Sequence, residues 1–510
     1  MENSTIETRP FVEMRPAPGV DTEPVATPSV VKREHRTGTK SRCPACRLSI
    51  YVVTTHSPMV CPFCQAHLAQ ESFGVPAWTP EPEGVIGAKS VHHRYRPLAR
   101  GITMVVSIIG IVLLAMAIYI KMKNLEYFWY QPTVNIYSIA VGTFILSRFV
   151  IAAFYSAPPD MGYQPSAAVL VACRNEGDSI GKTIGRIYSE GYPHDRLEVV
   201  VVNDGSTDGT LVEMHQAQGR HPGLVVVDFE ENKGKRHGMA IGALLARAEF
   251  LIYVDSDSFL LPGSIHKILQ GLADPTVAAV SGHTDVENTD VNVLTKMQDV
   301  RYFVSYRVMK AAESVFGAVS CCPGCFSAYR KSCVLNVLDP WLNQRFLGNY
   351  CTFGDDRSLT NYLLRHYRVL YDDEALATTI VPEKWGKYVR QQARWKRSFI
   401  REFFVAGKFF WRKHPAAAVA WYAMSVLPLI APIVMFHALV IGPLLYHRPA
   451  SFYVVGVLLV TLMWSFYYLE KTGRPHWWAG FVFTITYALF FSWQGYYSLA
   501  TVRMTKWGTR

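Results

Sequence analysis

The chain has 510 residues, half of them apolar, and a net charge of +11. That length accommodates two or three domains and a membrane region. The bases form no single stripe, many of them crowding into residues 387–413, which argues against a nucleic-acid partner and for a cytoplasmic membrane surface and small anionic ligands.

Residues 1–40 are rich in Pro, Thr, Glu and Val without periodicity and read as a disordered tail. Residues 41–70 hold Cys43-x-x-Cys46 and Cys61-x-x-Cys64, with fourteen residues between the pairs. The spacing predicts a tetrahedral thiolate site for structural Zn2+, in a ribbon-like module too small for a core of its own; two disulfides are the alternative. The other six cysteines need no partners, which suits a reducing compartment. Residues 71–100 are a linker with a basic end. The first long apolar run begins only at Ile102, so no secretory leader is expected.

Residues 101–155 carry two expected membrane spans, 102–120 and 134–153. Arg148, inside the second, is expected to snorkel or to face protein. Arg94, Arg96 and Arg100 place the N-terminus in the cytoplasm, although Lys121 and Lys123 oppose that orientation.

Residues 160–385 alternate short apolar runs (167–172, 199–202, 224–228, 250–254) with helical patterns (179–189, 209–218, 235–248). This is the pattern of an α/β domain with a mostly parallel sheet. Residues 386–413 form a basic, aromatic amphipathic stretch, read as a helix in the membrane interface or one packed on the globular domain. Residues 414–470 supply further spans. Residues 471–510 hold an interfacial or re-entrant segment and end in Trp507-Gly508-Thr509-Arg510.

Several residues carry chemistry. Asp204 ends a strand, where a carboxylate can accept from a base N–H; an Asx-turn or a cap shared with Asp208 is the bland reading. Lys235 and Arg236 open a helix and make an anion site, or a solvated basic turn. Asp255 and Asp257 follow an apolar strand and would share one face if the strand continued. Such a pair suits Mg2+ or Mn2+ bridging a diphosphate. Asp356 is the candidate general base, with Asp355 capping the helix that follows. Gln391, Arg394 and Trp395 share a helix, and the Trp ring suits the C–H face of a sugar or the membrane interface.

Together these motifs, in this order, resemble the processive family-2 glycosyltransferases (hyaluronan, chitin and cellulose synthases) over roughly residues 100–510. The resemblance implies a GT-A-like α/β catalytic domain with transmembrane and interfacial helices, which polymerises sugars and passes the chain through the membrane. It implies that Asp204 binds uridine, that Asp257 with Asp255 holds metal and UDP, and that Lys235 and Arg236 contact the diphosphate. Asp356 is then the base, and Gln391, Arg394 and Trp395 meet the acceptor. The stretches 341–348 and 354–361 are similar to those of hyaluronan synthases of the streptococcal type. The terminal Trp507 and Arg510 match a gating loop that touches UDP.

One segment departs from the pattern. Cys325 follows Gly324, as in rhizobial chitin-oligosaccharide synthases, where hyaluronan synthases usually have Pro-Leu after the glycine. The expectation is therefore hyaluronan made from UDP-GlcNAc and UDP-GlcA at the plasma membrane. The catalytic domain and N-terminus are expected in the cytoplasm. A GlcNAc homopolymer and a single transfer to a lipid carrier are the alternatives.

Overall fold

The computed structural model describes residues 132–447 and 450–505, three strands at 39–42, 49–52 and 69–72, and eight helical residues between 108 and 122. Cys43, Cys46, Cys61, Cys64, Trp507 and Arg510, and most of the first expected span, lie outside the described residues.

The sheet is built from chain segments whose composition already suits burial on both faces. Strands β4 (Ala167–Cys173), β5 (Leu197–Asp204), β6 (Leu224–Phe229) and β7 (Phe250–Tyr253) are near-continuous Val, Leu, Ile and Ala. Such runs fit parallel strands covered by helices on either side. They pair in parallel in the order β6-β5-β4-β7. Alternate residues enter opposite cores. Ala168, Leu170, Val200 and Val202 join one, and Val169, Val171, Val199 and Val201 the other. Helices α2 (Gly177–Tyr188) and α3 (Thr210–Arg220) contribute to the second core, and α4 (Lys235–Leu245) to the first.

Beyond β7 the sheet becomes mixed. Strand β8 (Ser258–Leu260) pairs antiparallel with β13 (Arg368–Thr379), which runs parallel to β9 (Val277–Val286). Strand β10 (Ser327–Arg330) inserts antiparallel between β7 and β9. The helices on this half are α5 (Ser264–Gln270), α6 (Val293–Val304), α7 (Ala311–Ser314), α8 (Lys331–Leu342) and α9 (Asp355–Leu364). A π-helical stretch, Ser305–Lys310, joins α6 to α7.

At the opposite edge, β1 (Thr39–Arg42), β2 (Ser49–Val52) and β3 (Ala69–Ser72) extend the same sheet, because β2 pairs antiparallel with β6, Ile50 facing Val227. The strands that flank the four N-terminal cysteines are thus edge strands of the catalytic sheet.

Among the described residues, three helices are long and apolar enough to cross a membrane: Pro132–Ala152, Pro415–Leu445 and Tyr453–Thr472. They correspond to α1 (Pro132–Ala152), α11 (Pro415–Phe436) with its continuation, and most of α12 (Ser451–Thr472). The ends of these helices meet the catalytic domain on one side. After α1, the Tyr155 hydroxyl donates to Tyr371 O at 3.0 Å. Before α11, Phe410 is buried in the catalytic core. After α12, Arg474 pairs with Asp299 of α6 at 2.6 Å. Arg148 is turned into protein and buried, so it does not snorkel.

Helix α10 (Trp385–Ala406) covers the expected amphipathic stretch. It packs a polar face inward, with Gln392, Arg397, Ser398, Arg401 and Glu402 buried. The last apolar segment is broken into α13 (Ala479–Thr486), a π-helical turn and α14 (Gln494–Ala500). It lies against α6 and α10.

Candidate active site

The candidate residues converge where the parallel strands end. Strand β7 stops at Tyr253, and the Ser258 N–H donates to Asp255 O at 3.0 Å, closing a turn. The expected strand continuation through Asp255 and Asp257 does not occur, because this turn replaces the pleat that would have set both side chains on one face. Both carboxylates still act on one group, the thiol of Cys325, which burial and then these two charges push well up. Cys325 is thus a neutral thiol beside two carboxylates.

Lys235, the first residue of α4, forms an ion pair with Asp255 Oδ1. Burial works against its charge, but Asp255, with help from Asp356 and Asp355, holds its pKa above the ordinary lysine value. The loop before β10 closes over this pair. A Cβ on Gly324 would lie 2.8 Å from Asp255 Oδ1 and 2.9 Å from Lys235 Nζ, so a side chain here would collide with the site. On its other side the Gly324 N–H donates to Asp356 Oδ2 at 3.3 Å. Asp255, Lys235, Gly324 and Asp356 therefore form one contiguous cluster.

Asp355 and Asp356 share the first turn of α9 and point apart, as consecutive helical residues must. Asp356 is half-buried at the cluster, and Asp355 is buried against Arg236. The expected capping role of Asp355 is corrected. Gly354 is the cap residue, with φ of 77°, a conformation that favours glycine. A Cβ there would also overlap the Ser398 hydroxyl of α10, so the glycine permits both the turn and the close approach of the two helices.

Arg236 is a second correction. It was expected beside Lys235 on a diphosphate, but its side chain is only 4% exposed. Nε donates to Asp355 Oδ1 at 2.8 Å, Nη1 to Trp341 O at 2.6 Å and Gln344 Oε1 at 3.3 Å, and Nη2 to Ser358 Oγ at 3.1 Å. Four of the five donors of the planar fork are engaged by acceptors on three segments. Its place one residue after Lys235 turns it about 100° around the helix, away from the site.

The network continues through residues that sequence reasoning missed. Gln344 Nε2 donates to Glu402 Oε1 at 2.8 Å, and Asn361 Nδ2 to Glu402 Oε2 at 3.0 Å. Arg401 donates to Phe353 O. Glu402 is the sole carboxylate within the basic stretch 387–413, a signal that was readable in the sequence.

Asp204 ends β5 buried, and its carboxylate accepts from the N–H groups of Lys233 (2.7 Å) and Gly234 (3.0 and 3.1 Å). Burial raises its pKa and these two bonds oppose the rise. It braces the loop that leads into Lys235. Asp208 separately closes an Asx-turn before α3, whose cap residue is Gly209, accepting from the Thr210 N–H at 3.0 Å.

On α10, Gln391, Arg394 and Trp395 lie within little more than one turn, and Trp395 precedes Ser398 by three residues, on the face turned to α9. The Gln391 Oε1 is buried without a hydrogen-bond partner among the described residues. The Arg301 guanidinium of α6 lies 5.5 Å over the Trp395 ring, so that one face of the ring is taken. Near the C-terminus, Asn349 Nδ2 donates to Arg503 O at 3.3 Å and the Thr352 hydroxyl to Thr505 O. The tail runs beside the segment that enters Gly354. The six cysteines of the catalytic region are free thiols.

A parallel α/β half-sheet followed by a mixed half, with carboxylates and a lysine at the strand ends, defines a GT-A-like glycosyltransferase fold. Residues 165–398 match the family model described as glycosyltransferase-like family 2. A hyaluronan synthase of Streptococcus pyogenes is 30% identical over 420 residues, covering 78% of this chain and 95% of that protein. An N-acetylglucosaminyltransferase of Mesorhizobium japonicum is 34% identical over 252 residues, covering 49% of this chain and 59% of that one. A mannosyltransferase from Pyrobaculum calidifontis, solved with GDP-Man and Mn2+, shares the fold at a TM-score of 0.50 and 22% identity, covering 70% of this chain and 99% of its own. The chain belongs to glycosyltransferase family 2.

Proposed function

We propose that this protein is a processive membrane synthase that transfers sugars from UDP-sugars with inversion, and that its product is hyaluronan, built from UDP-GlcNAc and UDP-GlcA. The contiguous cluster of Asp255, Lys235, Gly324 and Asp356 carries the reading. The acceptor hydroxyl gives its proton to Asp356 as its oxygen attacks the anomeric carbon. The bond from that carbon to the diphosphate breaks, and its electron pair leaves on UDP. Lys235 supplies positive charge beside the leaving group. Asp255 and Asp257 offer the hard oxygen donors that Mg2+ or Mn2+ requires, and such an ion would neutralise charge on the diphosphate. Asp204 fixes the loop before Lys235 and thereby shapes the uridine end of the site. Trp395 offers its remaining face to the acceptor sugar, with Gln391 and Arg394 as polar partners.

The tail supports retention of a polymer. Arg503 and Thr505 run beside residues 349–352, which supports the reading of Trp507 and Arg510, just beyond them in the chain, as a gating motif. The common placement of the ends of α1, α11 and α12 supports a multi-pass protein of the plasma membrane with its catalytic domain on the cytoplasmic, basic side. Zn2+ on Cys43, Cys46, Cys61 and Cys64 would staple the strands that extend the catalytic sheet.

Cys325 favours a second reading, a GlcNAc homopolymer made from UDP-GlcNAc alone, in keeping with the Mesorhizobium relative. Mass analysis of the product made by purified protein separates the two. Polymer formed only when both UDP-sugars are present is expected. Polymer from UDP-GlcNAc alone would establish the homopolymer, and a product lengthened by one sugar would overturn processivity.

A further inference from the structure

The membrane helix α1 carries a charge that the transfer chemistry does not use. Arg148 is 5% exposed inside an apolar helix. A buried arginine there is costly unless it is paired. Its own hydrogen bonds are marginal, with Nε and Nη2 each 3.5 Å from Ser147 Oγ. The opposite charge that acts on it is Glu313 of α7. The two side chains line one cavity of about 10 Å³, walled by Phe144, Met309, Phe410, Trp421 and Met424. That is close to the smallest space that admits a water, and the site offers polar partners at both ends.

Glu313 faces the active-site loop with both oxygens. Oε2 accepts from the Ser320 N–H and Oε1 from the Ser320 hydroxyl, each at 2.9 Å. From Ser320 the loop is pinned at successive residues. Lys310 donates to Cys321 O, the Cys322 N–H donates to Thr360 Oγ1 at 2.9 Å, and the Gly324 N–H reaches Asp356 Oδ2 at 3.3 Å. A chain of hydrogen bonds thus runs from Glu313 to the carboxylate at the catalytic cluster, with Arg148 of the membrane helix facing Glu313 across the cavity. Ser320 is its hinge, since Glu313 is the side chain that holds both of its donors.

We infer that Arg148, acting through Glu313 across this cavity, is a positioning residue for the Ser320–Gly324 loop, so that seating α1 in the bilayer sets the geometry around Asp356. The inference rests on the reading of Asp356 as the base. Its physical logic is that a fixed cation orients the carboxylate, and the carboxylate then offers both oxygens to Ser320 in a single geometry. Loss of either member frees the loop by a fraction of an ångström without touching a donor-binding group.

The test uses the full chain in lipid nanodiscs, with kcat and KM measured for each UDP-sugar. Arg148→Met and Glu313→Gln are each expected to lower kcat about 10- to 100-fold, the range for small misplacements of reacting groups, with donor KM unchanged. Arg148→Lys keeps the charge and is expected to recover most of the loss. The charge-swapped double variant, Arg148→Glu with Glu313→Arg, keeps opposite charges across the cavity, but an arginine cannot accept from Ser320. It is expected to insert and to remain as slow as Glu313→Gln.

Full activity in the swapped variant would reduce the two residues to a structural balance of charge and overturn the inference, as would wild-type kcat in Glu313→Gln. Should Arg148→Met fail to insert, the nearly isosteric Glu313→Gln decides. Asp356→Asn is measured in parallel. Retained turnover there would refute the base assignment alone, whereas the fate of the Ser320 loop is read from the Glu313 and swapped variants.

Discussion

Two adjacent acidic residues show how a helix separates tasks. Asp356 stands at the cluster while Asp355 turns inward to Arg236. Asp356→Asn should keep UDP affinity and lose turnover by about 10²–10⁴-fold, because the amide cannot take the hydroxyl proton. Calorimetric UDP binding together with UDP release under turnover checks this, and turnover within about tenfold of wild type would remove Asp356 from the role. Arg236→Lys should also keep UDP affinity while lowering kcat, since a lysine cannot span four acceptors on three segments. If UDP affinity instead falls as far as it does in Lys235→Ala, Arg236 reaches the diphosphate in the loaded enzyme.

At the scale of elements, α9 and α10 share a buried polar network. Glu402→Ala would strand the donors of Gln344 and Asn361 and leave Arg401 without its neighbouring carboxylate. A loss of about 3–5 kcal/mol is expected for breaking such a buried charged network, read as a fall in the thermal midpoint. A different carboxylate gives a pH signature. Glu190 is buried against the start of α5, and burial raises its pKa to about 7 although the Ile265 and Tyr192 N–H groups oppose the rise. A folded-state pKa above the unfolded value means that the native form binds the extra proton. Stability from this group is present below the unfolded pKa and is lost as pH rises through about 7. Glu190→Gln should therefore raise the thermal midpoint at pH ~8 and leave it unchanged at pH ~4. Equal gains at both would refute the assignment.

For the whole molecule, the residues at the ends of the long apolar helices also hold the catalytic domain. Tyr155, Phe410 and Arg474 end or begin membrane-type helices and bind the catalytic domain directly. Removing residues 507–510 should abolish polymer synthesis while the protein still inserts and still binds UDP more weakly, as expected of a loop that closes a site. Unchanged polymer yield would exclude a gating tail. Asp257→Ala should abolish activation by Mg2+ or Mn2+ and weaken UDP-sugar binding together. Activity that survives a chelator would refute the metal reading.

The local code was legible wherever burial alone dictates the element. The valine-rich runs of β4 to β7 and the amphipathic α2 to α4 follow from apolar periodicity, and the order of Asp204, Asp255, Asp356 and Trp395 along the chain pointed to sugar transfer before any coordinates did. Periodicity did not reveal β10, because four residues inserted antiparallel between distant strands carry no repeat of their own. Nor could it separate Lys235 from Arg236, or Asp355 from Asp356, since neighbours in sequence face different surroundings only once a helix is docked. The sequence by itself determined which residues could do chemistry, through residue type and spacing. The tertiary structure alone decided which of them gather at the strand-end cluster and which, like Arg236, turn away into a buried polar network, because that division depends on contacts between segments more than a hundred residues apart.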